Sequence, residues 1–203
     1  MPELRPIVES RILECYPGGG LPLRHQDVQY AVIHWTSLAK RVPENPNPIQ
    51  DGLLTGPLLA QAFRQNALLG TGKRVPYHVL ILDDDKGTAQ QLLPMSIRGS
   101  HARGYNRFSW AVAVVGEGRP PSPPQRERLV QILAAWLPAN GGLRVKGHME
   151  LPGASADPNK SCPGPWINPT VLGDEAKRIL PPSWRTWDTM FYRIWLESLG
   201  FRV

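Results

Sequence analysis

The run Ser109-Trp110-Ala111-Val112-Ala113-Val114-Val115 limits the possible folds more than any other stretch of the chain. It carries no charge and does not alternate with polar residues. As a strand it must therefore be covered on both faces, and a strand of that kind sits in the middle of a sheet. A second apolar run, at residues 29–34, ends on His34 and is followed by Trp35, Thr36 and Ser37. This pattern reads as a buried strand that opens into a pocket at its carboxyl end.

Three further strands are expected, at residues 77–82, 88–93 and about 143–148. The first two of these are separated by the turn Asp83-Asp84-Asp85-Lys86-Gly87. Three successive aspartates invite a metal reading, but aspartate followed by glycine is ordinary hairpin chemistry. A helix is expected over residues 125–137, led in by prolines, with Leu129, Ile132, Leu133 and Trp136 spaced as a core-facing stripe. Another is expected from Gly56-Pro57, capped by Thr55. Strands alternating with helices, and a helix directly before the last strand, predict an α/β fold: a mixed central β-sheet flanked by helices.

The chain has 203 residues, enough for one domain with an appendage. Its 22 prolines and 19 glycines imply long ordered loops around that core. Residues 1–28 read as an irregular arm broken at Tyr16-Pro17-Gly18-Gly19-Gly20, residues 29–168 as the main domain, and residues 169–203 as a C-terminal extension. A helix is expected there near residues 186–199, with Trp187, Met190, Phe191, Ile194 and Trp195 along one side. That stripe is expected to pack on the main domain, and a separate binding helix for wall or membrane is the alternative.

No segment approaches the roughly 20 apolar residues that cross a bilayer. Met1-Pro2-Glu3-Leu4-Arg5 does not open a secretory signal, so synthesis in a cytoplasm is expected. In that compartment a disulfide between Cys15 and Cys162 is disfavoured. The formal charge of +6 suits an anionic polymer, either nucleic acid or a bacterial wall, and charge alone does not choose between them. The basic residues are scattered and no nucleic-acid motif is present, so no nucleic-acid partner is expected. Peripheral contact with an anionic envelope is compatible with the charge.

Reactive residue types concentrate between His148 and Cys162, with Lys160 beside the cysteine. A neutral imidazole and a thiolate are good zinc ligands, and a nearby cation suits a reaction that develops negative charge. Catalytic zinc usually takes three protein ligands, and His34 at its strand end is the best third candidate. The chain has no His-Glu-x-x-His pair and no Gly-x-Ser-x-Gly elbow, and Gly72-Lys73 lacks the rest of a phosphate-binding loop.

Six segments, in this order, resemble the type 2 N-acetylmuramoyl-L-alanine amidases, the family of bacteriophage endolysin amidases and peptidoglycan-recognition proteins. They are Val32-Ile33-His34-Trp35-Thr36, residues 75–81, the loop Gly99-Ser100-His101-Ala102-Arg103-Gly104-Tyr105-Asn106, residues 109–116, Lys146-Gly147-His148, and Lys160-Ser161-Cys162-Pro163-Gly164. The resemblance implies a single zinc amidase domain with His34, His148 and Cys162 as metal ligands. It also implies Tyr77 and Lys160 as catalytic groups acting on the oxyanion, and a groove loop in which His101 and Asn106 meet substrate. His78 reads as a structural hydrogen-bonder. The expected reaction is hydrolysis of the amide between the lactyl group of N-acetylmuramic acid and L-alanine in peptidoglycan, after release of the protein to the wall.

In the muropeptide-recycling branch the third ligand is an aspartate, and a glutamate lies in the strand corresponding to 109–116. Here those positions hold Cys162 and Ala113. Both features point to the endolysin side. A recycling amidase and a non-catalytic peptidoglycan-binding module remain the alternatives.

Overall fold

The computed structural model describes residues 6–16, 21–36, 57, 59, 75–116, 119–139, 142–154, 161–186 and 189–203. Its centre is a six-stranded mixed sheet built from β1 (Glu9–Ser10), β2 (Tyr30–Thr36), β3 (Val79–Ile81), β4 (Ala89–Gln91), β5 (Ser109–Val115) and β6 (Arg144–Gly147). The strands lie in the order β1-β4-β3-β5-β2-β6. β5 pairs in parallel with both β2 and β3, and β6 pairs in parallel with β2. The hairpin of β3 and β4 is antiparallel, and β1 adds in parallel at the edge. All seven residues of β5 are buried, as an uncharged valine-rich strand between two parallel neighbours requires.

The side-chain period of two sorts these strands into two faces. Ala31, Ile33, Val79, Ile81, Trp110, Val112 and Val114 enter one large cluster together with the helices. Leu80, Ala113 and Val115 join a smaller cluster on the other side, and Val32 a third.

Helix α1 (Ile12–Cys15) is a single turn. Helix α2 (Pro123–Trp136) starts where Ser122 and Gln125 cap each other. The Ser122 hydroxyl accepts from the Gln125 amide, and the Ser122 amide donates to Gln125 Oε1. Pro123 and Pro124 occupy the first turn, where no amide hydrogen is needed. The expected stripe of Leu129, Ile132, Leu133 and Trp136 is fully buried.

Helix α3 (Pro169–Ile179) was not anticipated from the pattern of residues 169–203. Asn168 Oδ1 caps it by accepting from the amides of Thr170 and Val171. Gly173 lets it approach β6, since a methyl there would stand 3.1 Å from Val145. The C-terminal helix, α4 (Thr189–Ser198), faces inward through Tyr192 and Leu196, while Met190, Phe191 and Ile194 are exposed. The expected stripe is thus largely the outer face, and Trp187 lies outside the described residues. Phe201 packs near Trp136, and Arg202 exchanges two backbone hydrogen bonds with the Gln91 side chain of β4.

The segment read as an irregular arm contributes more structure than expected. It supplies β1 and α1, and Pro22 bridges Ile97. Of the helix expected from Gly56-Pro57, only Pro57 and Leu59 are described; both are helical, and Leu59 is buried. The triple-aspartate segment is a hairpin turn. Asp84 Oδ1 accepts the amides of Lys86 and Thr88, and Gly87 has a φ of 56°. No helix among the described residues is long and apolar enough to cross a membrane.

Candidate metal centre

In the β2–β6 pair Ile33 stands opposite Gly147, so the next residues, His34 and His148, emerge side by side at the carboxyl ends of parallel strands. Open α/β sheets place ligands at this end. The two imidazole centroids are 4.6 Å apart. Cys162 arrives from the following loop, which is fastened at three points. The Met149 amide donates to the Cys162 carbonyl at 3.0 Å, Pro163 packs against Gly147, and Gly164 packs against the Trp35 ring. At Gly147 and Gly164 a side chain would overlap those neighbours, and the φ of 83° at Gly164 is itself a glycine conformation.

The donor atoms of His34, His148 and Cys162 all lie within 4.8 Å of one another, and all three residues are buried. Cys162 Sγ is 3.6 Å from His34 Nδ1. Two donors about 2.0–2.3 Å from one zinc in a tetrahedral shell stand roughly 3.3–3.8 Å apart, so this edge fits. His148 donates its Nε2 proton to the Ala154 carbonyl at 3.2 Å, which leaves its lone pair on Nδ1. By donor set, burial and outer hydrogen bonding, the three residues suit a zinc ion.

Tyr77 stands just before β3, half-buried, with its ring centroid 5.0 Å from that of His34. Burial pushes its phenol well above the usual tyrosine range, and the neighbouring Cys162 adds to the shift. The group is therefore a neutral hydrogen-bond donor across the physiological range. Lys160 lies outside the described residues.

His101 stands behind His34. Its Nδ1 is 3.0 Å from His34 Nε2, and its Nε2 is 3.1 Å from Ser109 Oγ. Burial holds it neutral, lowering its pKa well below the ordinary histidine value, and His78 and His148 act in the same direction. Asn106 Oδ1 accepts the amides of His101 and Ala102, each at 2.9 Å, and so shapes the loop. Asn106 also borders an open groove of about 800 Å³, with Arg98, Gly99, Ser100 and Arg107 on its walls.

His78 is wholly structural in its contacts. Its Nε2 donates to the Ile97 carbonyl, and its Nδ1 accepts the Ala111 amide. Ser109 was not singled out from the sequence. A serine opening an otherwise apolar buried strand is the only hint of its use.

Residues 24–165 match the family model described as N-acetylmuramoyl-L-alanine amidase, and the chain belongs to that family. The fold is shared with solved structures. One is the Ph2119 endolysin from a Thermus scotoductus bacteriophage, with 20% identity, a TM-score of 0.57 and coverage of 83% of this chain and 98% of the other. Another is the amidase LysC from Clostridium intestinale, with 18% identity, a TM-score of 0.53 and coverage of 79% and 93%. A third is peptidoglycan recognition protein-LE in complex with tracheal cytotoxin, a monomeric diaminopimelic acid-type peptidoglycan, with 18% identity, a TM-score of 0.54 and coverage of 78% and 88%. A comparison with curated protein sequences gives no match.

Proposed function

We propose that the chain is a zinc-dependent N-acetylmuramoyl-L-alanine amidase of the endolysin type. It cuts the amide between the lactyl group of N-acetylmuramic acid and L-alanine in peptidoglycan, which it reaches after release from the cytoplasm in which it is made. The observation that carries this reading is the buried cluster of His34, His148 and Cys162 at the carboxyl ends of β2 and β6. Zinc in such a set supplies Lewis acidity, polarising a carbonyl and making hydroxide available near neutral pH.

The chain's own groups do the rest. His34, His148 and Cys162, all three buried, would hold the ion. Tyr77, kept neutral by its surroundings, donates a hydrogen bond to the carbonyl oxygen as negative charge develops there. Lys160 is assigned the second, cationic contact to that oxygen. The loop of His101 and Asn106 lines the side of the groove along which the glycan-peptide substrate lies.

The position paired with His34 across β5 is Ala113, so no carboxylate stands there. This favours the endolysin type over the recycling type.

Release of free amino groups from purified sacculi, compared with release from soluble anhydro-muropeptides, tests the proposal. Turnover on sacculi in a protein carrying close to one zinc per chain is expected. Turnover on soluble fragments alone would move the chain to the recycling branch, and binding without turnover would make it a recognition module. Tyr77→Phe is expected to retain zinc and lower kcat by about 10- to 100-fold, somewhat less than the loss of a full oxyanion-hole donor. A change confined to KM would reassign Tyr77 to the groove.

A further inference from the structure

A neutral imidazole has a lone pair on one ring nitrogen and a proton on the other. His34 can therefore ligate through Nδ1 only while its proton sits on Nε2. The contacts behind it form a line. His34 Nε2 lies 3.0 Å from His101 Nδ1, His101 Nε2 lies 3.1 Å from Ser109 Oγ, and Ser109 Oγ lies 2.8 Å from the Tyr105 carbonyl.

The last of these contacts has only one possible direction. A carbonyl accepts and never donates, so the single hydroxyl proton of Ser109 points at Tyr105. The Ser109 oxygen must then accept from His101, which places the His101 proton on Nε2. His101 Nδ1 is left as an acceptor, and the proton it receives is the one on His34 Nε2. The direction set at Tyr105 thus passes through three side chains and leaves the lone pair of His34 on Nδ1, the atom 3.6 Å from Cys162 Sγ.

We infer that His101 and Ser109 are positioning residues that fix the tautomer of His34 and so aim its Nδ1 at the metal. The inference rests on the reading of His34 as a ligand. His148 obtains the same result from one backbone carbonyl, that of Ala154, which cannot reverse. An imidazole can reverse, because it serves equally well with its proton on either nitrogen. Ser109 removes that freedom from His101. Ser109, His101 and His34 are 0%, 8% and 2% exposed, so water does not replace a missing partner.

Long-range proton–nitrogen correlation spectra of the metal-free, full-length chain at about pH 7.5 read the tautomers directly, and competition with a chromophoric chelator reads zinc affinity. The wild type is expected to carry the protons of His34 and His101 on Nε2. Ser109→Ala and His101→Ala are expected to mix the His34 tautomers and weaken zinc binding by about 10- to 100-fold. His101→Asn, whose amide oxygen stands near the place of Nδ1, is expected to recover most of that loss.

A wild-type spectrum with the His34 proton on Nδ1 overturns the inference. So does Ser109→Ala with zinc affinity within about twofold of wild type. If His101→Ala does not fold, the wild-type spectrum and Ser109→Ala still decide. A wild type with the expected tautomers that binds no zinc would instead sink the metal reading of His34, and with it the purpose assigned to the relay.

Discussion

The two faces of the central sheet are made by the same strands and do different work. On β2, Ala31 and Ile33 point into the cluster beneath the helices, while Val32 and His34 point the other way. The first face is apolar and continuous, filled by α2, α3 and the C-terminal segment. The second has two smaller apolar clusters, with the His34–His148–Cys162 group at the strand ends. Alternation at a period of two lets one strand serve packing and chemistry without compromise between them. The two faces should therefore fail separately.

The largest separation is expected from Cys162→Ser. Turnover on sacculi should drop at least about a thousandfold, about 4 kcal/mol of transition-state stabilisation, with zinc occupancy falling alongside. Measured in chelator, where neither protein holds metal, the melting temperature should match that of wild type. A variant that stays active without metal would break the comparison at its first point. The converse substitution is Leu129→Ala, in the middle of α2 and fully buried. It should cost about 2–5 kcal/mol in denaturant unfolding and leave zinc content and kcat per folded molecule unchanged. Loss of zinc in that variant would show that the faces are coupled.

Acid should act on the site side. Burial lowers the pKa of His78 to about 4 from its usual 6.5, with the Ile97 hydrogen bond opposing the shift only in part. An unfolded chain takes up this proton below about pH 6.5, but the folded chain does not until about pH 4. The resulting stability is intact above the unfolded value and is lost as pH falls through that window. His101, beside His34, is depressed as well, chiefly by burial, and adds with the same sign, while His25, against Trp110 and Tyr192, adds a contribution from the packing face. Unfolding free energy in chelator should drop by about 2 kcal/mol or more between pH 7 and pH 5, above the range where carboxylates titrate. A flat profile would show that the folded protein takes up these protons freely.

The sequence revealed the two faces unequally. The central strands were legible because uncharged β-branched runs have few alternatives, and the α2 stripe because its four apolar residues repeat at helical spacing. The three proposed ligands were legible as a group because each stands in a segment that resembles the type 2 amidases. The link between His101 and His34 was not, since it joins residues 67 apart that only the sheet brings together. β1 was missed because two polar residues, Glu9 and Ser10, carry no periodic signal. α3 was missed although Asn168-Pro169 is a helix-start signal, because Gly173 interrupts its apolar side. In α4 the helix was legible but its inner side was not. Apolar residues surround that helix, so spacing alone does not choose a face, and contact with Trp136 does.

That last ambiguity gives the smallest expected effect. Tyr192 of α4 donates its hydroxyl to the Trp136 carbonyl at 3.3 Å, and Leu196 is fully buried, whereas Met190 is 70% exposed and Ile194 56%. On the same outer side Arg193 pairs with Glu197, one turn on, as residues in solvent do. Replacing Met190, Phe191 and Ile194 together with serine removes apolar surface that is already largely in water. The change should therefore cost no more than about 1 kcal/mol, or about 2–4 °C of melting temperature. Leu196→Ala, one turn away on the inner side, should cost about 2–5 kcal/mol. Cleavage of soluble substrate by the triple variant should equal that of wild type. If the triple variant melts as early as Leu196→Ala, the outer face of α4 is a packing surface and the helix sits in a different rotation from the one described.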